Sequence, residues 1–112
     1  MTLFEKIAAR EIPATIVHES DEFFAFTDVK PQAPVHVLIV PKRVIPRIAE
    51  SGPEDAELLG RMLIASREVA ASLGVLESGY RLVINNGRDA GETVPHLHIH
   101  LLAGRPLGWP PG

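Results

Sequence analysis

The chain has no cysteine among its 112 residues. Small secreted domains usually rely on disulfides to supplement a small core, so this absence favours a reducing compartment, and on sequence the cytoplasm. There is no excess of basic charge. The 11 Lys and Arg face 14 Asp and Glu, for a formal net charge of −3, which argues against a nucleic-acid polymer as the main partner. A single nucleotide is not excluded, because it needs only a few well-placed donors. No apolar run approaches the ~18 residues of a membrane span. The opening Met1-Thr2-Leu3-Phe4-Glu5-Lys6 has neither the basic flank nor the long apolar stretch of a signal peptide. No internal repeat or low-complexity stretch precedes the Pro- and Gly-rich residues 105–112.

What is present reads as a globular domain. Apolar residues make up 46 % of the chain, enough for a core. The length suits one domain over 1–112, with 105–112 as its tail. A domain this small buries a modest share of its surface, so pairing with a second copy would be physically useful.

Leu3, Phe4, Ile7 and Ala8 form an apolar stripe that predicts a short amphipathic helix over 3–9. Pro13 stops it. Thr15–His18 and Glu22–Thr27 predict a hairpin around Glu19-Ser20-Asp21. Val35–Val40 is almost wholly β-branched or apolar, the pattern of a strand buried on both faces, and Pro41 closes it. Ser51 and Glu54 suggest a capping box with Pro53 in the first turn. Leu59, Met62, Leu63, Ser66, Val69, Ala70 and Leu73 follow at helical spacing, and Gly74 is placed to end the helix. Tyr80–Asn85 and Val94–Leu102 predict two more strands flanking the polar loop Asn86–Thr93. Five strands in mostly hairpin order, with one long and one short helix, give an α+β fold on an antiparallel sheet.

Four of the five histidines carry the chemistry: His36, His96, His98 and His100. In a strand, alternate residues share a face, so the last three imidazoles would project together about 7 Å apart. Leu97, Ile99 and Leu101 would face the core. Three rings on one face are costly to bury without partners. A neutral imidazole is a competent nucleophile near pH 7, and the adjacent glycine-bearing loop can bring backbone N–H groups close to a phosphate. A nucleophile beside an anion cradle points to phosphoryl or nucleotidyl transfer through a covalent histidine. A three-histidine zinc site is the main rival.

Val94-Pro95-His96-Leu97-His98-Ile99-His100-Leu101-Leu102 resembles the signature of the histidine triad (HIT) superfamily. Phe26 to Lys42 resembles its first block, and Gly104 to Gly112 resembles the tail of its Hint, or histidine triad nucleotide-binding, branch. The resemblance implies a HIT-like fold and a homodimer with a ten-stranded sheet across it. It also implies a purine nucleoside phosphoramidase acting without a cofactor or metal. His98 matches the nucleophile, His100 the phosphate contact, His36 the supporting fourth histidine and His96 the orienting first of the triad. Asp28, beside Val29, matches the ribose position; Asn85 matches a nucleotide contact; Gly91-Glu92-Thr93 matches the loop at the phosphate and leaving group. Leu3, Phe4, Ile7 and Leu38 match the base pocket. The ligand implied is a purine nucleoside monophosphate or phosphoramidate. A dinucleoside polyphosphate hydrolase and a non-enzymatic nucleotide- or zinc-binding module are the alternatives.

Three positions depart from the family pattern. Glu92 stands where Gln is common, Thr93 where Ser is usual, and Ala103 replaces a glycine. An ionised carboxylate repels phosphate, so Glu92 must turn away, be protonated, or pair with a cationic leaving amine; the phosphoramidate chemistry suggests the last.

Overall fold

Short β-prone runs separated by tight turns pair with their neighbours, and the computed structural model, which describes residues 1–112, contains five strands. They are β1 (Ile16–Glu19), β2 (Phe23–Thr27), β3 (Val35–Pro41), β4 (Tyr80–Val83) and β5 (Ile99–Ala103), with helices α1 (Leu3–Ala8) and α2 (Ala56–Ser72). Every pairing is antiparallel, in the order β1-β2-β3-β5-β4. The excursion through α2 lets β5 return between β3 and β4. Register then decides the site. Leu38 lies opposite His100 and His36 opposite Leu102, which makes His36 and His100 diagonal neighbours on one face.

Alternation along the central strands sends side chains to two separate cores. Phe23 and Ala25, Val37 and Ile39, and Ile99 and Leu101 pack with Leu58, Met62, Val69 and Ala70 of α2. Phe24, Phe26, Leu38 and Val40 pack with Phe4 and Ile7 of α1. The first face is covered by a helix of 17 residues and the second by one of 6. A six-residue helix cannot roof the whole sheet, and the histidines stand on the face it leaves partly open.

Several boundaries differ from the sequence reading. The strand expected over 94–102 begins only at Ile99. Continuing the register would set Leu97 against Pro41, which has no N–H to give. Leu97 donates to the Ile45 carbonyl instead, at 2.7 Å. The inward alternation survives, since Leu97 still joins the α2-side core. β4 stops at Val83, so Asn85 lies beyond it. The Ser51–Glu54 capping box does not form. The Ser51 hydroxyl donates to the Ile48 carbonyl, and Asp55 accepts the Gly52 N–H at 2.9 Å. A 3-10 turn over Pro53–Asp55 then leads into α2. On α2 Leu58 is buried and Leu63 exposed, so the inward stripe runs through Leu58, Met62, Ala65, Ser66, Val69 and Ala70.

Gly104 ends β5 with φ +93°, and a Cβ there would lie 2.7 Å from Cβ of Pro34. Gly104→Ala is therefore expected to lower stability by about 1–3 kcal/mol through strain and clash together. Urea unfolding checks this; an unshifted midpoint would contradict it.

Candidate active site

The rings form a contiguous row. Phe4 packs edge-on against His96 and His98 with centroids 5.5 and 4.9 Å apart. His98 meets His100 at 4.9 Å and His100 meets His36 at 5.2 Å. Their common face is the one anticipated, although regular strand geometry holds only for His100 and His36.

Hydrogen-bond polarity assigns a proton to each ring. The Thr2 hydroxyl accepts the Glu5 N–H at 3.1 Å as part of the α1 capping box, and lies 2.7 Å from His96 Nδ1. It donates to Nδ1, so His96 carries its hydrogen on Nε2 and gives it to the Pro41 carbonyl at 2.7 Å. His96 is fully buried, and burial pushes its pKa down. It is neutral with both nitrogens engaged.

His98 Nδ1 is 2.8 Å from the His96 carbonyl oxygen. A carbonyl can only accept, so Nδ1 holds the hydrogen and Nε2 keeps a free lone pair. On the other side, the Gln32 N–H donates to His36 Nδ1 at 3.0 Å. His36 therefore carries its hydrogen on Nε2, which donates to His100 Nδ1 at 2.9 Å. The remaining hydrogen of His100 is on Nε2. A lone pair on His98 thus stands beside an N–H donor on His100. Burial, reinforced by the neighbouring charges of His98 and His36, pushes the His100 pKa down to about 4. Burial also lowers that of His36, opposed by the Asp28 carboxylate 3.6 Å away.

His98 and His100 line a cavity of about 260 Å³. Of the residues expected around a nucleotide, Leu3, Phe4, Ile7, Leu38, Asp28, Val29 and Thr93 line it too. Sequence reasoning missed Ile12, Pro13, Ala14, Phe26 and Val94, which complete the apolar wall. Asn85 and Gly91 do not line it. A wider open groove of about 740 Å³ between His18 and Ile64 contains none of the other four histidines; the chemistry selects the smaller space.

Glu92 corrects an expectation. Its carboxylate accepts from Arg47 Nε at 2.9 Å and Nη2 at 3.0 Å, and from the Gly87 N–H at 2.9 Å. Those bonds, Arg47 first and Gly87 second, hold its pKa at about 2. It is ionised and already paired, so it is neither a neutral phosphate donor nor a free partner for a cationic amine.

Oxygen and nitrogen atoms of Asp28, His36 and His100 fall within 4.8 Å of one another, but the two imidazoles there share a hydrogen bond. His96, which a zinc site on the triad would need, has no free nitrogen.

The HIT domain family model matches residues 9–107. The chain belongs to the HIT family. An uncharacterized HIT-like protein of Synechocystis is 57 % identical over 111 residues, covering 99 % of this chain and 96 % of its own. A HIT family hydrolase from Legionella pneumophila superposes with a TM-score of 0.97 at 48 % identity, over 100 % of both chains. A histidine triad nucleotide-binding protein from Candida albicans gives 0.83 at 30 % identity, over 98 % of this chain and 83 % of that one.

The assigned protons make a pH prediction. The His100 pKa lies below its ordinary 6.5, so the unfolded chain binds more protons between the two values and stability rises with pH there. Stability should be full above about pH 6.5 and decline as pH falls toward 4, with Glu92 extending the loss below pH 4.5. Urea midpoints measured over this range should fall, and His100→Gln should flatten part of the slope. A constant midpoint in the wild type would contradict the lowered His100 pKa.

Proposed function

We propose that this HIT protein is a purine nucleoside phosphoramidase that works through a nucleotidyl-histidine. The observation that carries the reading is the fixed lone pair on His98 Nε2 beside the His100 Nε2–H, both at a cavity whose remaining wall is apolar apart from Asp28 and Thr93. The hydrolase from Legionella pneumophila and the nucleotide-binding protein from Candida albicans lend it support.

In the reaction, His98 Nε2 bonds to the α-phosphorus of a nucleoside 5′-phosphoramidate. The original P–N bond breaks, and the amine leaves with a proton taken up from solvent. Water then attacks the same phosphorus, releasing a nucleoside monophosphate and restoring the neutral ring. His100 Nε2–H and the Thr93 hydroxyl donate to phosphoryl oxygens as negative charge builds. Asp28 accepts from the two ribose hydroxyls, with Val29 alongside. Leu3, Phe4, Ile7 and Leu38 hold the base by area and shape. His96 aims the nucleophile through its carbonyl, and His36 keeps the His100 donor facing outward. Asn85 and Gly91, which stand off the cavity, retain a nucleotide-contact role only through the family pattern.

This reading takes residues 1–112 as one working unit with a tail from 105, located in the cytoplasm on the strength of its cysteine-free sequence. It has no cofactor and pairs as a homodimer. A ten-stranded sheet requires two copies to meet at a free edge, β1 or β4. The β1 edge carries an irregularity between Ile16 and His18, and its Glu19 is tied to Arg10 and Lys42. Bulges and charges block edge pairing, so β4 is the edge assigned to the partner.

His98→Ala should lower phosphoramidate turnover by about 10³-fold or more. Wild-type protein quenched during turnover should carry the nucleotide on His98 by peptide mass analysis. Full activity in the alanine variant would overturn the mechanism. Sedimentation should return twice the 12.2 kDa chain mass; a monomer at micromolar concentration would remove the shared sheet.

A further inference from the structure

One charged assembly outside the ring row is more enclosed than a loop requires. The Glu92 side chain is 11 % exposed and that of Arg47 28 %. Arg47 grips the carboxylate with two guanidinium nitrogens, and its Nη1 pairs with Glu50. The two partners are 45 residues apart. Alongside, the Ala49 N–H donates to Asn86 Oδ1 at 2.8 Å. Gly87 gives its N–H to Glu92 Oε1 and takes the Glu92 N–H on its carbonyl at 3.1 Å, so the loop closes on itself around the carboxylate. The gripping segment is anchored in turn, because Ile45 is buried in the α2-side core and its carbonyl accepts the Leu97 N–H.

The rest of the loop is a 3-10 turn over Arg88–Ala90, closed by its own backbone bonds and with no side-chain bond to the body of the protein. Arg88 and Asp89 pair with each other at 94 % and 91 % exposure, an arrangement that contributes little. The next residue after Glu92 is Thr93, which lines the cavity with His98 and His100.

We propose that Arg47 is a positioning residue: through Glu92 it clamps the 86–92 loop and thereby holds the Thr93 hydroxyl at the reacting phosphate. The kinetic part rests on the phosphoramidase reading, whereas the clamp itself does not. Glu92 then belongs to the architecture of the loop and not to leaving-group recognition. A donor displaced by about 1 Å from its productive place can cost on the order of 100-fold in rate, which makes such a clamp matter to chemistry it never touches.

The test uses intact Arg47→Met, Arg47→Lys and, as a control on the same loop, Arg88→Met. Two measurements are made: amide hydrogen exchange at residues 87–93, and kcat beside the Kd for AMP. Arg47→Met should speed exchange at Gly87 and Glu92 by at least about tenfold while β3 and β5 amides hold their wild-type rates. It should also lower kcat by about 10- to 100-fold with the Kd within about threefold. Arg47→Lys, which keeps the charge but loses the bidentate fork, should restore at most part of the rate. Arg88→Met should match the wild type in both measurements. Unchanged exchange in Arg47→Met would refute the clamp whatever the turnover. A loosened loop with normal kcat would refute its catalytic consequence, and a loss of affinity together with faster exchange at the β3 and β5 amides would reduce Arg47 to fold support. If the wild type releases no amine from phosphoramidates, the phosphoramidase reading fails, and the exchange data still decide the clamp.

Discussion

Everything at the site depends on backbone groups that can play only one role in a hydrogen bond. The Gln32 N–H can only donate, and the His96 and Pro41 carbonyls can only accept. An imidazole alone is indifferent to which nitrogen carries its hydrogen. Set against these fixed partners, each ring has one choice. The lone pair of His98 and the donor of His100 are consequences of main-chain polarity carried inward through side chains, which is preorganisation obtained before any substrate arrives.

The sheet topology is what brings such partners within reach. His36 lies on β3 and His100 on β5, far apart in the chain, and the insertion of β5 between β3 and β4 makes them diagonal neighbours. The two cores divide the labour. The α2 side is a closely packed apolar layer that fixes the strands, while the α1 side is thin enough to leave a cavity among apolar walls. Burial there lowers the pKa of His36, His96 and His100 and so favours their neutral forms.

Much of this was legible from residue pattern. The unbroken apolar run Val35–Val40 identified a strand buried on both faces, and the β-prone run Glu22–Thr27 identified a hairpin strand. The period-two spacing of His96, His98 and His100 anticipated that their rings would gather on one face, even though only His100 of the three lies in the ladder. The cap of α2 was misplaced because a 3-10 turn over Pro53–Asp55 intervenes, with the Asp55 carboxylate turned back to the Gly52 N–H instead of capping α2. Arg47 was invisible, since nothing local distinguishes an arginine that will meet a carboxylate 45 positions later. Thr2 could have been found: Thr2-Leu3-Phe4-Glu5 is a capping box ahead of an apolar stripe. Its second bond, to His96, is tertiary and left no trace in the sequence.

That second bond ties two properties to a single oxygen. The Thr2 hydroxyl caps the start of α1, whose Phe4 and Ile7 wall the cavity, and also satisfies the His96 ring behind His98. Fraying of the amino-terminal turn would therefore loosen the cavity wall and the setting of His98 in the same event. The α2 layer would stay folded, so the protein could pass between competent and incompetent forms without crossing its global unfolding transition.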